Sequence, residues 1–437
     1  MQTTPRSKTP GLIVLALLLG SLAAPVSAQD LFLADVQIVD PAKQEIRHAN
    51  LLILDGRIAG EPSAPPADFE GTTLDASGQW VIPGLVDLHT HAYGNMAPGN
   101  TFDSPGTAAI AERMLTAGVT AFLDLFGDED ALFALRESQR AGEVGGADLF
   151  ASLSCLTATE GHCTEYGVKT RTMDSPDEAR SVVDDLALKA PDVVKIVYSP
   201  TGRMPSVDRE TLAAAVETAT RHGIKTVIHV GSWQDVRDAT EVGASAVTHV
   251  PEGPVPAGLG SLMAEHGVRH IPTLAVETDF RHFVAEPSSL DSPLARALTP
   301  ETVRAAYRDY EPSERARAHA EGAEAREAGV LAAVKALSDA GVVMLTGTDS
   351  GNYGTIQGFS MHRELNKMVQ AGLTPWQALA AATVEPGEFL GRDFGVATGD
   401  EANLVLLGAS PIEDIGNTQK IVRVIQRGVV VEEASAE

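Results

Sequence analysis

The sequence predicts an α/β protein, a (β/α)8 TIM-type barrel with a small β-sandwich built from both termini. Three observations lead there. From Val81 onward, eight short apolar runs of strand character alternate with helical patterns. That alternation implies a parallel sheet, and eight is the number of strands that closes a barrel. Strand-like runs at the two ends of the chain lie outside the alternation, and pairing them with each other is the economical way to cover them. A chain of 437 residues, 44% of them hydrophobic, can bury a core of this size.

Residues 1–28 read as a secretory signal peptide. Arg6 and Lys8 precede an apolar run from Gly11 to Leu22, too short for a membrane span, and Val26-Ser27-Ala28 offers the small residues of a cleavage site. Cleavage after Ala28 would leave a mature protein outside the cytosol, secreted or periplasmic. No later segment is apolar for long enough to cross a bilayer. Residues 29–78 are the first part of the sandwich, with strands over Leu31–Ile38 and Ala49–Ile58, a turn at Asp55-Gly56 and a loop from Ala64 to Asp68. The barrel takes residues 79–385. Its strands are expected at Val81–His89, Val119–Leu125, Leu149–Leu153, Val193–Val197, Thr226–His229, Ala246–His249, Arg269–Ile271 and Val342–Thr346. Helices are expected at Ser175–Lys189, Asp208–His222 and Ser313–Ala340. The segment from Glu277 to Ser313 reads as a long proline-bearing connection, either a lid or binding loop or a peripheral decoration. A last helix over Pro375–Thr383 leads to residues 386–437, the second part of the sandwich, with strands at Asn403–Leu407 and Ile421–Ile425.

The net charge of −26 argues against a nucleic-acid partner, because phosphate binding needs clustered Lys and Arg. A solvated acidic surface accounts for it. A small-molecule substrate is the expected partner, and nothing excludes a homo-oligomer. Only two cysteines occur, so no disulfide framework holds the fold. Cys155 and Cys163 could form one local bridge, remain free thiols, or supply one ligand near the site.

The residues that carry chemistry stand at strand ends. His89 and His91 are one residue apart, and strand alternation points both to the same side, where two imidazoles can share one metal ion. Lys195 lies in the apolar strand Asp192-Val-Val-Lys-Ile-Val197, His229 and His249 end two further strands, and Asp349 follows the last. In a barrel these ends converge on one mouth. A lysine in an apolar strand is costly unless its charge is removed or paired. It can stay neutral and take up carbon dioxide as a carbamate that bridges two metals, or it can pair with Asp87 or Asp124. His222, His266 and His319 fall on helical patterns as surface residues, and His362 reads as structural.

Together His89-x-His91, Lys195, His229, His249 and Asp349 resemble the amidohydrolase superfamily in its binuclear, carboxylated-lysine form. Supporting stretches are Val81-Ile-Pro-Gly-Leu-Val-Asp-Leu-His-Thr-His91, Ala117-Gly-Val-Thr120, Gly347-Thr-Asp-Ser350 and Gly399-Asp-Glu-Ala-Asn-Leu-Val-Leu-Leu407. Asn403 departs from the aspartate usual in the last of these. The similarity spans residues 31 to 431. His229-Val-Gly-Ser-Trp233 and Gly161-His162 resemble the imidazolonepropionase-like and Xaa-Pro dipeptidase-like branch. Deaminases of the superfamily carry a glutamate where Val230, Gly231 and Ser232 stand, which disfavours deamination.

The resemblance implies two divalent metal ions, with zinc the first choice and iron, manganese or cobalt fitting the same ligands. His89, His91 and Asp349 would hold one, His229 and His249 the other, and the carbamate on Lys195 would bridge them. A metal-bridging hydroxide would attack a carbonyl, with Asp349 as general base and then acid. His162 and Tyr198 are candidate substrate contacts, although strand alternation turns Tyr198 away from Lys195 unless the strand has ended. Arg203 is a candidate for a substrate carboxylate or an ordinary surface residue. The implied reaction is hydrolysis of amide bonds in dipeptides or N-acyl amino acids. Hydrolysis of a lactone, carbamate or phosphotriester on the same site is the alternative. A non-catalytic metal-binding scaffold is a third reading, which the complete ligand set opposes.

Overall fold

The structure is a computed structural model that describes residues 29–314 and 322–431. The signal segment, His319 and residues 315–321 of the helix expected over Ser313–Ala340 therefore lie outside the described residues, and the rest of that expectation meets a helix at Ala323–Asp339.

Five strands open the chain: β1 (Leu31–Asp40), β2 (Glu45–Leu54), β3 (Arg57–Gly60), β4 (Thr72–Asp75) and β5 (Trp80–Pro83). The central strands are β6 (Leu85–Thr90), the hairpin β7 (Asn95–Ala97) and β8 (Thr101–Asp103), β9 (Val119–Asp124), β10 (Asp148–Ala151), β11 (Cys155–Thr157) and β12 (Arg171–Thr172). They continue as β13 (Val193–Tyr198), β14 (Lys225–Val230), β15 (Ala246–Thr248) and β16 (Arg269–Ile271). The chain closes with β17 (Leu404–Leu407), β18 (Ile421–Gln426) and β19 (Val429–Val431).

The strands of both ends form one eight-stranded sheet in the order β19-β18-β17-β5-β1-β2-β3, with β4 also on β1. Its apolar face has its own core, including Leu31, Leu33, Ile53, Leu404 and Ile425. The strand expected over Val81–His89 is divided at Gly84. Trp80–Pro83 pairs with β17, whereas Leu85–Thr90 joins the central strands. Gly84 marks a close crossing rather than a turn: a Cβ there would meet the Thr120 side chain at 2.1 Å, and its N–H donates to Asn403 O at 2.7 Å.

The central strands pair in parallel as β10-β9-β6 and β12-β11-β13-β14-β15-β16. Val86, Ala121, Val193, Val227, Ala246 and Ile271, one from each of six strands, pack with Leu345 in one cluster, so the two sheets face a common interior. Residues 342–350 lie between them. Leu345 N–H donates to His270 O at 2.8 Å, Leu88 N–H to Thr346 O at 3.0 Å, and Asp349 N–H to His89 O at 2.7 Å. On the other side Asp192 N–H reaches Ala151 O at 3.0 Å, and Cys155 lies in register with Lys195.

Two expectations are corrected. Val342–Thr346 is not a regular strand: it makes a single bridge, Met344 to His270, because Thr346 N–H turns aside to Ala381 O at 2.8 Å and the ladder lapses. The long connection after Glu277 is largely helical, with helices at Leu274–Ala285, Pro293–Leu298 and Glu301–Arg308 and a 3-10 turn at Pro287–Asp291. Pro287, Pro293 and Pro300 stand where helical segments begin instead of breaking them. Pro293 takes the first helical position, where no amide hydrogen is needed, behind Ser292, whose side chain accepts from Ala295 N–H. The helices expected over Ser175–Lys189 and Asp208–His222 run Pro176–Ala187 and Arg209–Arg221, with Ser175 and Asp208 as N-caps.

Candidate metal centre

His89 near the end of β6, His91 just past it, Lys195 in β13, His229 in β14, His249 directly after β15 and Asp349 all line one cavity of about 550 Å³. Five imidazoles form a chain. Ring centroids lie 5.3 Å apart for His91 and His89, 5.0 Å for His89 and His249, 4.5 Å for His249 and His229, and 5.0 Å for His229 and His162. The closest ligand atoms belong to His89, His91 and Asp349, all within 4.8 Å of one another. Asp349 Oδ1 stands 2.9 Å from His91 Nε2 and 3.3 Å from His89 Nε2.

Hydrogen bonding behind the rings decides what these atoms can do. His91 Nδ1 lies 3.1 Å from the Phe126 carbonyl oxygen, which can only accept, so Nδ1 carries the hydrogen. A neutral His91 then turns an Nε2 lone pair toward a carboxylate oxygen. That contact of acceptor with acceptor requires a cation or an extra proton between them, and the donor set of two imidazoles and a carboxylate suits a borderline divalent metal. His89 Nδ1 is held by Thr248 Oγ1 at 2.7 Å and His249 Nδ1 by Thr273 Oγ1 at 2.9 Å, contacts that fix ring orientation. His249 and Asp349 both take left-handed backbone angles, φ 76° and 55°, strain of the kind that gathers at functional sites.

Electrostatics favour neutral ligands. Burial holds His89, His229 and His249 well below the ordinary histidine range. Burial is the largest single effect on His91 and works against its charged form, but the hydrogen bond to Asp349 and the charges of Asp349 and Asp124 together outweigh it, and the net shift is upward. Lys195 is 3% exposed, and burial lowers its pKa. The ion-pair alternative for it does not form. Asp87 accepts from Thr348 Oγ1 at 2.6 Å and Thr348 N–H at 3.0 Å, with burial raising it to about 6. Asp124 accepts from the N–H groups of Ala92 and Phe126, at 2.6 and 2.9 Å.

The substrate candidates separate. His162 lines the cavity, with Nδ1 2.7 Å from Glu165. Arg203 is exposed and lines a smaller side pocket that shares His162 and His229. Tyr198 is a correction. Its strand has not ended, so the ring faces away from Lys195, and its hydroxyl donates to Asp238 at 2.8 Å on the helix Trp233–Glu241. Tyr198→Phe should leave kcat/KM within about twofold while costing about 1 kcal/mol in a denaturant melt. Cys155 and Cys163 are free and buried, and Cys163 lines the cavity. His362 is structural, with its ring nitrogens 3.0 Å from Thr418 Oγ1 and from the Ala117 carbonyl.

Sequence reasoning missed Thr248 and Thr273, whose role appears only when separate strands meet. It also missed Tyr93, which stacks on His91 at 5.9 Å. Continuing the period-two spacing of His89 and His91 by one step would have found that residue.

Known proteins bear on the whole arrangement. Residues 80–431 match the profile of the Amidohydrolase family. An uncharacterized protein of Mycobacterium tuberculosis is 27% identical over 393 residues, 86% of this chain and 90% of its own. An imidazolonepropionase of Cupriavidus necator is 27% identical over 271 residues, 52% of this chain and 63% of the relative. A D-hydantoinase of Streptomyces coelicolor is 32% identical over 196 residues, 43% of this chain and 38% of the relative. Among solved structures, a Xaa-Pro dipeptidase superposes with TM-score 0.73 at 21% identity, covering 92% of this chain and 100% of its own. With the match running from β5 to the last strand, the chain belongs to the amidohydrolase family and is a hydrolase of carbon–nitrogen bonds.

Proposed function

We propose that the protein is a secreted, binuclear metal-dependent hydrolase that cleaves amide bonds in small substrates such as dipeptides or N-acyl amino acids. One observation carries this: four imidazoles and Asp349 line one cavity together with a buried lysine that makes no ion pair among the described residues. The central strands then form a (β/α)8 barrel over residues 79–385, closed through residues 342–350, beneath a sandwich from residues 29–78 and 386–437.

His89, His91 and Asp349 would hold one cation and His229 and His249 the second. The neutral amine of Lys195, as its carbamate, would bridge them. When bound, two divalent cations, zinc first among them, would activate water and polarise the scissile carbonyl. The chain's own groups supply the proton traffic. Asp349 takes the proton released as water adds to the carbonyl carbon, then gives it to the leaving nitrogen. The Asn352 side chain donates to Asp349 Oδ1 at 2.8 Å and steadies it for both steps. His162, whose ring stands beside that of His229, would contact the substrate near the reacting bond.

The test uses the purified mature chain. Metal analysis should find two divalent cations per chain, and a panel of dipeptides and N-acyl amino acids should be hydrolysed faster than lactones and phosphotriesters. No bound metal together with no hydrolysis after metal addition would overturn the proposal. So would a clear preference for esters of phosphorus.

A further inference from the structure

The cavity around the imidazoles continues in two directions. Val250, Glu252, Val276 and Glu277 line it and also line a second cavity of about 830 Å³. Beyond that neck the second wall is largely apolar, with Phe280, Val284, Tyr310, Pro312 and Val330. Arg281 in the same wall is ion-paired with Glu327. On another arc of the mouth, His162, Val197 and His229 are shared with a pocket of about 200 Å³ that holds Arg203, Ser199 and Ser206. One extension is small and offers the Arg203 cation; the other is large and mainly apolar, with Arg281, Arg326 and Glu327 also in its wall.

The neck has its own charge. Glu252 and Glu277 are exposed there, and neither makes an ion pair among the described residues. A negatively charged group passing between the cavities would meet two carboxylates in a partly enclosed space, where repulsion is strong. The wall is also firmly set. Helix Leu274–Ala285, which carries Val276, Glu277, Phe280 and Val284, begins at Thr273 without a side-chain cap. The buried Glu364 carboxylate substitutes for one, accepting from Leu274 N–H at 3.0 Å and Ala275 N–H at 2.7 Å.

We propose that the substrate is an N-acyl amino acid whose acyl group is large, apolar and free of negative charge, with its carboxylate beside Arg203 and its acyl chain through the neck into the larger cavity. This rests on the amide-hydrolase reading above. Water adds to the acyl carbonyl and the C–N bond breaks. The water oxygen stays in the released carboxylate, and the amine leaves with the proton as a free amino acid.

The experiment is a chain-length series on the metal-loaded protein: N-acetyl-, N-butanoyl- and N-octanoyl-alanine, and N-suberoyl-alanine, which ends in a second carboxylate. Each methylene moved from water into an apolar wall is worth about fourfold, so kcat/KM should rise by on the order of 100-fold from acetyl to octanoyl even when burial is incomplete. The suberoyl compound should fall about tenfold or more below octanoyl, and Glu277→Gln should narrow that gap. Val284→Trp, which fills the far cavity, should collapse the octanoyl-to-acetyl ratio toward unity. A flat or falling wild-type series with the acetyl compound hydrolysed would overturn the acyl-chain proposal and leave the amide reading standing. Hydrolysis of no member would overturn the acyl-chain proposal, and would sink the amide reading with it where the dipeptides are left intact as well.

Discussion

Asp349→Asn should lower kcat for amide hydrolysis by about 10³-fold, the scale on which a positioned acid–base group contributes. The variant is chosen for its backbone. Asp349 sits at φ 55°, a left-handed conformation that asparagine tolerates and most residues do not. Its amide hydrogen bond to His89 O, 2.7 Å, does not depend on the side chain and should persist. An amide oxygen can still receive the Asn352 side chain, but it cannot take up the proton. The expected result is a native circular dichroism spectrum and melting transition with turnover nearly gone. A loss of less than about tenfold would remove Asp349 from the proton path.

With the proposed two-cation site, Lys195→Ala should lower bound metal toward one cation per chain and cost about 10²-fold or more in turnover, since the bridging carbamate would serve both cations. Elemental analysis of the purified variant checks the first, and initial rates the second. Full metal occupancy would count against the bridging role. The metal-free protein offers a separate check. Burial lowers the Lys195 pKa from its ordinary 10.5, so the unfolded chain binds this proton more tightly than the folded one. Wild-type stability should therefore gain from this group as pH rises from the lowered value toward 10.5, and Lys195→Ala should lack that slope.

The residues of the candidate metal site were legible because the chemistry that would need them also constrains their spacing. His89-x-His91 follows the period of a strand, and His229, His249 and Asp349 each come at or just past the end of an apolar run. The structure brings all of them, with Lys195, around one cavity. Regular elements with polar caps were equally readable, as Ser175 and Asp208 show. What escaped depends on contacts between distant segments. Val342–Thr346 has strand composition, but Ala381 competes for its hydrogen bonds. Pro287, Pro293 and Pro300 look like loop punctuation, yet each stands where a short helical segment begins. Thr248 and Thr273 look like ordinary strand and loop threonines until the His89 and His249 rings are seen beside them. Tyr198 illustrates the opposite case: alternation within β13 already pointed it outward, and the Asp238 contact shows where it goes.

The pairing of β5 with β17 has a consequence for biosynthesis. β5 leads through Gly84 straight into the strand that bears His89, and its neighbour β17 is made only after all the central strands. A chain released before Leu404, or trimmed back to it by a protease, leaves that edge without its partner. Loss of β17 would then loosen the strand that bears His89 without touching the histidine, and the proposed metal binding would depend on residues far along the chain from its ligands.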